Sequence, residues 1–390
     1  MATRKTVEVK PAVESMARIK VVGVGGSGGS AINRMLSQKV RGIEFIAINT
    51  DAQALQHSIA DIKVQIGKET TRGLGAGMNP DLGRRSAEEN EDDIRKHLVD
   101  ADMVFVTCGL GGGTGSGAAD IVADIARSAG ALTVAVVTRP FKFEGLQRRR
   151  IAEEALDRLA DKVDTIITIP NDRLMQIIDK KTSLIDAFSI VDDILRQGVI
   201  GISELITIPG MVNVDFADVK AVMSEAGSAL MGIGIASGEE RASMAARAAV
   251  DSPLLELSIE GARGVLFVIT ASPSLTMHEV NQAAEVITAS CDPEAKIIFG
   301  TVIDDRMGDD IKITVIATGF RNLGEKQSSE PKQVRVTPIT TELFTSTEPV
   351  RANRDVFTKQ QEKPVAATEP EVQDELDIPA FIRNRMKKRS

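Results

Sequence analysis

The 390-residue chain contains no tryptophan and no tyrosine, and twelve phenylalanines supply its aromatic content. A hydrophobic core of this composition must therefore be mainly aliphatic. Proteins that bind single-stranded DNA or RNA stack the bases on aromatic side chains, so the composition argues against that class. The formal net charge of −8 points the same way, because nucleic-acid binders usually carry a basic surface.

Cysteine and histidine are also scarce. Cys108 and Cys291 lie far apart and lack the spacing of metal ligands, which indicates a reducing compartment. His57, His97 and His278 fall in polar helical segments, and we expect them at the surface. No apolar run approaches the roughly 18 residues of a membrane span, and the first residues lack the apolar core of a signal peptide. We therefore expect a cytoplasmic protein without direct membrane insertion.

Glycine, in contrast, is concentrated at a few places. Residues 111–117 read GGGTGSG; they follow a buried strand predicted at 103–108 and precede a helical pattern that starts at 118. A glycine-rich segment before a helix presents backbone N–H groups and the helix N-terminus to phosphate. The alternative is a tight turn without a ligand, but such a turn needs only one or two glycines. The segment therefore predicts phosphate binding.

Two more glycine segments occur at residues 25–30 and 71–77. The first belongs to a G-x-G-x-x-G pattern over residues 23–28, with Asp51 roughly 20 residues further on, as in dinucleotide-binding proteins. An NAD-dependent oxidoreductase is therefore one hypothesis, although the sequence offers no clear histidine for hydride transfer. Three glycine segments suit a triphosphate better than a single pyrophosphate. The chain has no G-x-x-x-x-G-K-[ST] sequence, which excludes a P-loop protein.

Strand and helix patterns alternate along the first half of the chain, which predicts an α/β fold with a doubly wound, Rossmann-like, mainly parallel sheet. Ligands of such sheets bind at the carboxyl ends of the strands, where all three glycine segments fall. A long helix apolar on nearly every face follows, and then a second, smaller α/β domain. We expect these parts: a flexible arm (1–17), a domain that carries the three glycine segments (18–183), a central helix (184–206), a C-terminal α/β domain (207–321), a disordered linker (322–373) and a C-terminal peptide (374–390).

Several ordered motifs together resemble one family. They are NTDAQAL at 49–55, GGGTGSG at 111–117, RPF at 139–141, NVDFADV at 213–219 and DIPAF at 377–381. Over about residues 18–320 and the C-terminal peptide, the chain resembles the FtsZ family, the tubulin homologues that form the bacterial division ring. The resemblance implies a GTPase that polymerises head to tail, is activated by polymerisation and lies at midcell. It also implies GTP or GDP and Mg²⁺ held through the phosphates, without metal ligands from the protein, and K⁺ as a further candidate cation.

The resemblance also assigns residues to the nucleotide. An aspartate that accepts hydrogen bonds from the guanine edge discriminates against adenine, and Asp192 matches that position. Ser27, Ser30 and Ser116 depart from the family pattern, which commonly has glycine, asparagine and threonine there. The GTP-binding residues implied are Gly26, Ser27, Gly28, Gly29, Ser30, Asn49, Ala76, Gly77, Gly113, Thr114, Gly115, Glu144, Arg148, Asn171, Phe188 and Asp192.

The resemblance implies that Asn213, Asp215 and Asp218 are catalytic. From spacing alone, Asp215 would be a helix N-cap with Asp218 in the first turn. The central helix spans roughly 33 Å, so this loop cannot reach the nucleotide of its own chain. In the family it reaches the nucleotide of the next subunit, and such contacts build filaments. A further hypothesis is a scaffold of the same fold that does not hydrolyse GTP.

The chain ends in a short amphipathic motif after a polar, aperiodic stretch. Such a motif typically presents a peptide to a partner groove, although a random tail is the alternative. The resemblance implies that division proteins and membrane tethers bind here. The residues concerned are Asp377, Ile378, Pro379, Phe381 and Ile382.

Overall fold

A computed structural model describes residues 17–320, apart from 39, 41, 177–180, 208–213 and 256–257 and the side chain of Leu184. Asn213, the expected linker and the C-terminal peptide therefore lie outside the described residues, as does nearly all of the N-terminal arm. All described elements belong to one compact unit, residues 1–327.

The first half of the described chain alternates strands and helices, as the sequence predicts. Its elements are β1 Ile19–Val24, α1 Gly25–Ser37, β2 Ile43–Asn49, α2 Ala52–His57, β3 Ile62–Gln65, α3 Pro80–Glu89, α4 Glu91–Leu98, β4 Met103–Gly109, α5 Thr114–Ser128, β5 Leu132–Arg139, α6 Leu146–Ala160, β6 Thr165–Pro170 and the short α7 Asn171–Leu174.

The second half begins with the long helix. Its elements are α8 Leu184–Thr207, α9 Phe216–Met223, β7 Gly227–Ser237, α10 Arg241–Val250, β8 Gly264–Ala271, α11 Met277–Thr288, β9 Lys296–Ile303 and β10 Asp310–Thr318. Single 3₁₀ turns occur at Lys142–Glu144 and Asp305–Met307.

The strands form one ten-stranded sheet in the order β3-β2-β1-β4-β5-β6-β7-β10-β8-β9. Strands β1 to β6 pair in parallel, and β7 continues the sheet parallel to β6. Strand β10 then pairs antiparallel with both β7 and β8, and β9 is parallel to β8. The α/β class and the mainly parallel sheet are confirmed. The sequence did not reveal that β7 links the strands of the second half to the first.

Helix α8 is the centre of the largest apolar cluster. Val191, Leu195 and Val199 pack with residues of the first half, such as Val136, and with residues of the second half, such as Leu266. The prediction of a long, buried helix is confirmed. With 24 residues, α8 spans about 36 Å, so its two ends lie far apart.

Two of the glycine segments already contain the first turns of helices. Residues 25–30 are not a loop, because α1 already begins at Gly25, and α5 begins at Thr114 rather than at 118. The first N–H groups of a helix have no partner within it, so these glycines can still present donors to a ligand. Helix α3 follows the glycine segment 71–77: Asn79 caps it, and Pro80 is its first residue.

Asp51, the acidic residue of the dinucleotide-like pattern, has a local role. Its carboxylate accepts hydrogen bonds from the backbone N–H groups of Gln53 (2.9 Å) and Ala54 (3.2 Å) and so caps α2. The NAD hypothesis thereby loses the residue that would bind the ribose.

Two further observations bear on the scarcity of cysteine and of long apolar runs. Cys108 is fully buried in β4, where desolvation raises the pKa of its thiol to about 12, which fits a small apolar filler. Among the described residues, no helix is both long and apolar enough to cross a bilayer.

Candidate nucleotide site

A cavity of about 350 Å³ opens at the carboxyl edge of the sheet, beyond the ends of β1, β4, β5 and β6. Open α/β sheets bind ligands at this edge. Eleven of the sixteen predicted GTP-binding residues line it: Gly26, Ser27, Gly77, Gly113, Thr114, Gly115, Glu144, Arg148, Asn171, Phe188 and Asp192. The structure thus brings residues of all three glycine segments to one cavity.

One wall of the cavity is built from the N-termini of two helices. Gly26 and Ser27 stand in the first turn of α1, and Thr114 and Gly115 begin α5. No acidic side chain lies in the first turn of either helix. Unpaired N–H groups and the positive ends of two helix dipoles therefore converge on this wall, which suits a multiply charged anion such as a phosphate chain.

Ser27 ties the first turn of α1 to the end of β4. Its hydroxyl oxygen accepts a hydrogen bond from the backbone N–H of Gly109, the last residue of β4, at 2.7 Å. This contact gives a role to one departure from the family pattern, because a glycine at position 27 could not make it. Ser116, a second departure, likewise accepts from the Gly111 N–H at 2.8 Å.

The segment 71–77 closes against the segment 111–117. The backbone N–H of Gly113 donates to the Gly77 carbonyl at 2.9 Å, and a Cβ on Gly113 would overlap that same oxygen. Only glycine permits this approach. Nearby, the buried hydroxyl groups of Thr50 and Thr114 are 2.7 Å apart, which joins the end of β2 to the start of α5.

Glu144 and Arg148 form an ion pair on another side of the cavity. The Arg148 guanidinium donates to the Glu144 carboxylate at 2.8 Å, and the other carboxylate oxygen accepts from the Phe141 N–H at 2.9 Å. These bonds hold both side chains at the rim, where they can meet a sugar hydroxyl or a phosphate oxygen.

The remaining end of the cavity combines an aromatic ring with two polar groups. Phe188 is 41% exposed and meets the Phe141 ring edge to face, with 5.7 Å between centroids. Asn171 is buried, and its Oδ1 has no hydrogen-bond partner. Desolvation raises the pKa of Asp192 to about 6, and the positive charge of Arg34 opposes that shift. An apolar face beside two unsatisfied acceptors matches a flat base with N–H donors on its edge.

Five predicted residues do not line the cavity. Gly28 is buried against β4, where a Cβ would overlap the Thr107 carbonyl oxygen, and Ala76 is also buried. Gly29 and Ser30 lie further along α1, and the Ser30 hydroxyl donates to the Gly26 carbonyl. Asn49 ends β2, and its Oδ1 accepts from the Asp51 N–H at 3.3 Å.

Seven lining residues were absent from the prediction: Gly109, Leu110, Gly112, Thr138, Pro140, Val191 and Leu195. The sequence held a signal for some of them. Gly112 lies within the segment 111–117, and Thr138 and Pro140 lie at the end of a predicted strand. Val191 and Leu195 flank Asp192 on α8, and their apolar character predicted only core packing.

Asp215 and Asp218 lie after the carboxyl end of α8, whereas the cavity contacts residues near its start. Asp215 caps α9 by accepting a hydrogen bond from the Asp218 N–H at 2.8 Å, as its spacing predicts. Both residues are exposed. The length of α8, about 36 Å, separates them from the cavity of the same chain.

No group of three or more His, Cys, Asp or Glu side chains that could hold a metal ion occurs among the described residues.

Comparisons with known proteins identify the family of the chain. Residues 18–179 match the Tubulin/FtsZ family, GTPase domain, and residues 227–321 match the FtsZ family, C-terminal domain. FtsZ of M. jannaschii, solved as an empty dimer, is 45% identical with a TM-score of 0.76, over 79% of this chain and 89% of that one. A mutant of that protein gives the same identity and TM-score over 78% of this chain and 92% of that one.

A more distant structure shares the fold. CetZ2 from Haloferax volcanii, solved as a GTPγS-bound protofilament, is 21% identical with a TM-score of 0.67, over 78% of this chain and 94% of that one. The two family matches and the 45% identity to FtsZ carry the assignment: the chain belongs to the FtsZ family and has its GTPase domain.

Proposed function

We propose that this protein polymerises head to tail with GTP and hydrolyses GTP at the interface between subunits. One observation carries the proposal. The nucleotide cavity and the exposed Asp215–Asp218 pair lie at opposite ends of α8, so a single chain holds two separate halves of a hydrolytic site. A second copy, stacked in the same orientation, would bring the pair of one chain to the cavity of the next.

The proposed ligand is a guanine nucleotide. Asp192 and the unsatisfied Oδ1 of Asn171 accept from the N1–H and N2–H₂ groups of the base, and Phe188 packs against its face. Adenine has no donor at N1 and no 2-amino group, so it would leave these acceptors unsatisfied. Glu144 and Arg148 contact the ribose and phosphates.

The phosphates occupy the wall formed by the two helix N-termini. The proposed donors are the backbone N–H groups of Gly26 to Ser30 and of Gly113, Thr114 and Gly115, with Ala76 and Gly77 near the γ-phosphate. A Mg²⁺ ion held through these phosphates would supply positive charge against the negative charge that develops on the transferred group. Potassium remains a prediction, which is tested by comparing turnover in potassium and sodium buffers.

Hydrolysis adds water to the γ-phosphorus and breaks its bond to the bridging oxygen, which gives GDP and phosphate. In this proposal, Asp215 and Asp218 of the neighbouring subunit orient that water and take its proton, with Asn213 beside them. The cap that Asp215 makes on α9 fixes its carboxylate relative to Asp218. Catalysis then depends on assembly, since each chain acts on the nucleotide of its neighbour.

Assembly of this kind is heterologous and does not close, so it yields a filament. We propose that the filament forms the division ring at midcell in the cytoplasm. The peptide around Asp377, Ile378, Pro379, Phe381 and Ile382 would bind division proteins and membrane tethers. The same proposal divides the chain into an N-terminal arm, a GTP-binding domain to residue 183, the central helix, a C-terminal domain to 321, a linker and that peptide.

The test is GTP turnover per subunit as a function of protein concentration. The proposal expects turnover to rise with concentration, together with light scattering in GTP but not in GDP. Asp218→Ala should bind GTP yet lose turnover, whereas Asp157→Ala, an exposed aspartate on α6 with no role in either half-site, should behave as the wild type. Turnover that does not depend on concentration would reject the proposal.

A second candidate is a scaffold that binds GTP and assembles but does not hydrolyse it. The observation that favours it is the capping hydrogen bond, which gives Asp215 a sufficient structural role. Phosphate release separates the two candidates, because the scaffold would scatter light with GTP and release none.

A further inference from the structure

Asp192 stands out among the lining residues because its carboxylate has no hydrogen bond or ion pair with the described part of the chain. Its neighbour Asp193 is fully engaged: Arg196 donates to one carboxylate oxygen and Gln197 to the other, each at 2.7 Å. Asp192 is thus held ready for a ligand in a partly desolvated position, where an ionised carboxylate needs support from a nearby positive charge.

Arg34 is the cation placed to give that support. It lies in the last turn of α1, which packs against α8, and its Nε is buried without a hydrogen-bond partner. Its buried neighbour Met35 belongs to the same apolar cluster as Val191 and Leu195, the residues that flank Asp192 on α8. In keeping with this packing, the positive charge of Arg34 lowers the pKa of both Asp192 and Asp193. Because Asp193 already has two partners, Asp192 is the carboxylate that depends on Arg34.

Other charges around Asp192 are engaged elsewhere. Across the cavity, Glu144 and Arg148 pair with each other at 2.8 Å. Of the strands packed against α8, β8 carries no charged residue, and β5 carries only Arg139, which lies 3.5 Å from Glu153. The only charged residue of β9 is Lys296, at its exposed start.

We infer that Arg34 is a positioning residue for guanine recognition, whose guanidinium keeps Asp192 ionised so that the carboxylate can accept both N1–H and N2–H₂ of the base. The inference rests on the proposed binding of GTP. It also gives α1 two roles: its first turn, with Gly26 and Ser27, faces the phosphates, and its last turn supports the carboxylate that reads the base.

The consequence is a defined pH dependence. A protonated Asp192 cannot accept from both donors of guanine, so affinity falls as the pH drops through the pKa of about 6. Removing the positive charge of Arg34 raises that pKa further, by about one pH unit. The whole affinity profile therefore moves to higher pH without a change in its plateau.

The experiment is calorimetric titration with GDP between pH 5.5 and 8, because GDP avoids turnover. For Arg34→Gln we expect affinity about fivefold weaker than wild type at pH 6 and nearly equal at pH 8, since the curve shifts by about one unit. Arg34→Lys keeps the charge and should restore the wild-type profile. Arg247→Gln, an exposed arginine on α10, is the matched control and should change nothing.

The outcomes separate this inference from the proposed function. A profile for Arg34→Gln that matches the wild type, or a loss of equal size at every pH, would overturn the inference and leave GTP binding intact. Absence of GDP binding by the wild type would instead reject the proposed function. If Arg34→Gln does not fold, Arg34→Met is the second variant, because it also removes the charge but keeps a long apolar side chain: the same shift of the profile is expected, and an unshifted profile would overturn the inference.

Discussion

The Asp215 carboxylate accepts a hydrogen bond from the backbone N–H of Asp218 at 2.8 Å, and both side chains are exposed beyond the carboxyl end of α8. One carboxylate therefore caps the start of α9, while the Asp218 carboxylate makes no hydrogen bond or ion pair with the described part of the chain. The arrangement separates the stability of this loop from any catalytic role, and the two can be tested independently.

Asp215→Asn should leave stability nearly unchanged and abolish GTP turnover in the assembled protein. Asparagine caps a helix about as well as aspartate, so the free energy of unfolding should change by less than about 0.5 kcal/mol. It has no negative charge, however, and cannot take a proton from water. Thermal unfolding and phosphate release measure the two effects. A stable variant with normal turnover would assign Asp215 to capping alone.

Asp192→Asn should weaken GTP binding by about 10- to 100-fold, because a charged acceptor for the base is lost. Asparagine also offers an N–H₂ donor, which suits the C2 carbonyl of xanthine. We therefore expect the variant to prefer XDP to GDP in competition binding, and its affinity should no longer fall below pH 6. Retention of guanine preference would show that Asp192 does not contact the base edge.

Ser27→Gly restores the residue common in the family and removes the hydrogen bond to the Gly109 N–H. The bond is partly exposed, so its loss should cost about 1 kcal/mol or less of unfolding free energy. GDP affinity should fall modestly, since the bond ties α1 to the end of β4. Chemical denaturation with and without GDP checks both expectations, and Ser128→Gly, at the exposed end of α5 and away from the cavity, serves as the control. An increase in GDP affinity would contradict this role.

Asp120 on α5 is buried and bridges α3 and α6: its carboxylate lies 2.9 Å from Arg84 Nη1 and 3.7 Å from Arg158 Nε. Asp120→Ala leaves both arginines without their shared partner and should lower the free energy of unfolding by about 3 kcal/mol. Asp124→Ala, one turn further along α5, removes only an exposed pair with Lys162 and should cost less than about 1 kcal/mol. Equal losses in denaturant unfolding would contradict this account.

Local patterns were sufficient to predict the alternation of strands and helices, because glycine segments and apolar runs mark their own boundaries. They also predicted the cap at Asp215, since it depends on a few consecutive residues. The spacing of Asp51 from the first glycine segment resembles a dinucleotide-binding pattern, but in the structure Asp51 caps α2. Local competition for backbone N–H groups decided its role.

What the sequence could not reveal are relationships between distant residues. The bond from Gly109 to Ser27, the approach of Gly113 to Gly77 and the unpaired position of Asp192 depend on how elements pack together. Val191 and Leu195 were assigned to the core because apolar residues at helical spacing usually are buried. The sequence also did not predict that β7 joins all the strands into one sheet, because pairing between strands far apart in the sequence leaves no local pattern.

The central claim is that each active site is shared between two chains, and a complementation assay tests it most directly. One partner is Asp218→Ala, which keeps the nucleotide cavity. The other is the double variant Asn171→Ala and Asp192→Ala, which keeps the Asp215–Asp218 pair and must first be shown not to bind GDP. Each alone should release little phosphate from GTP. We predict that their mixture hydrolyses GTP well above the sum of the two; turnover equal to that sum would contradict a shared site.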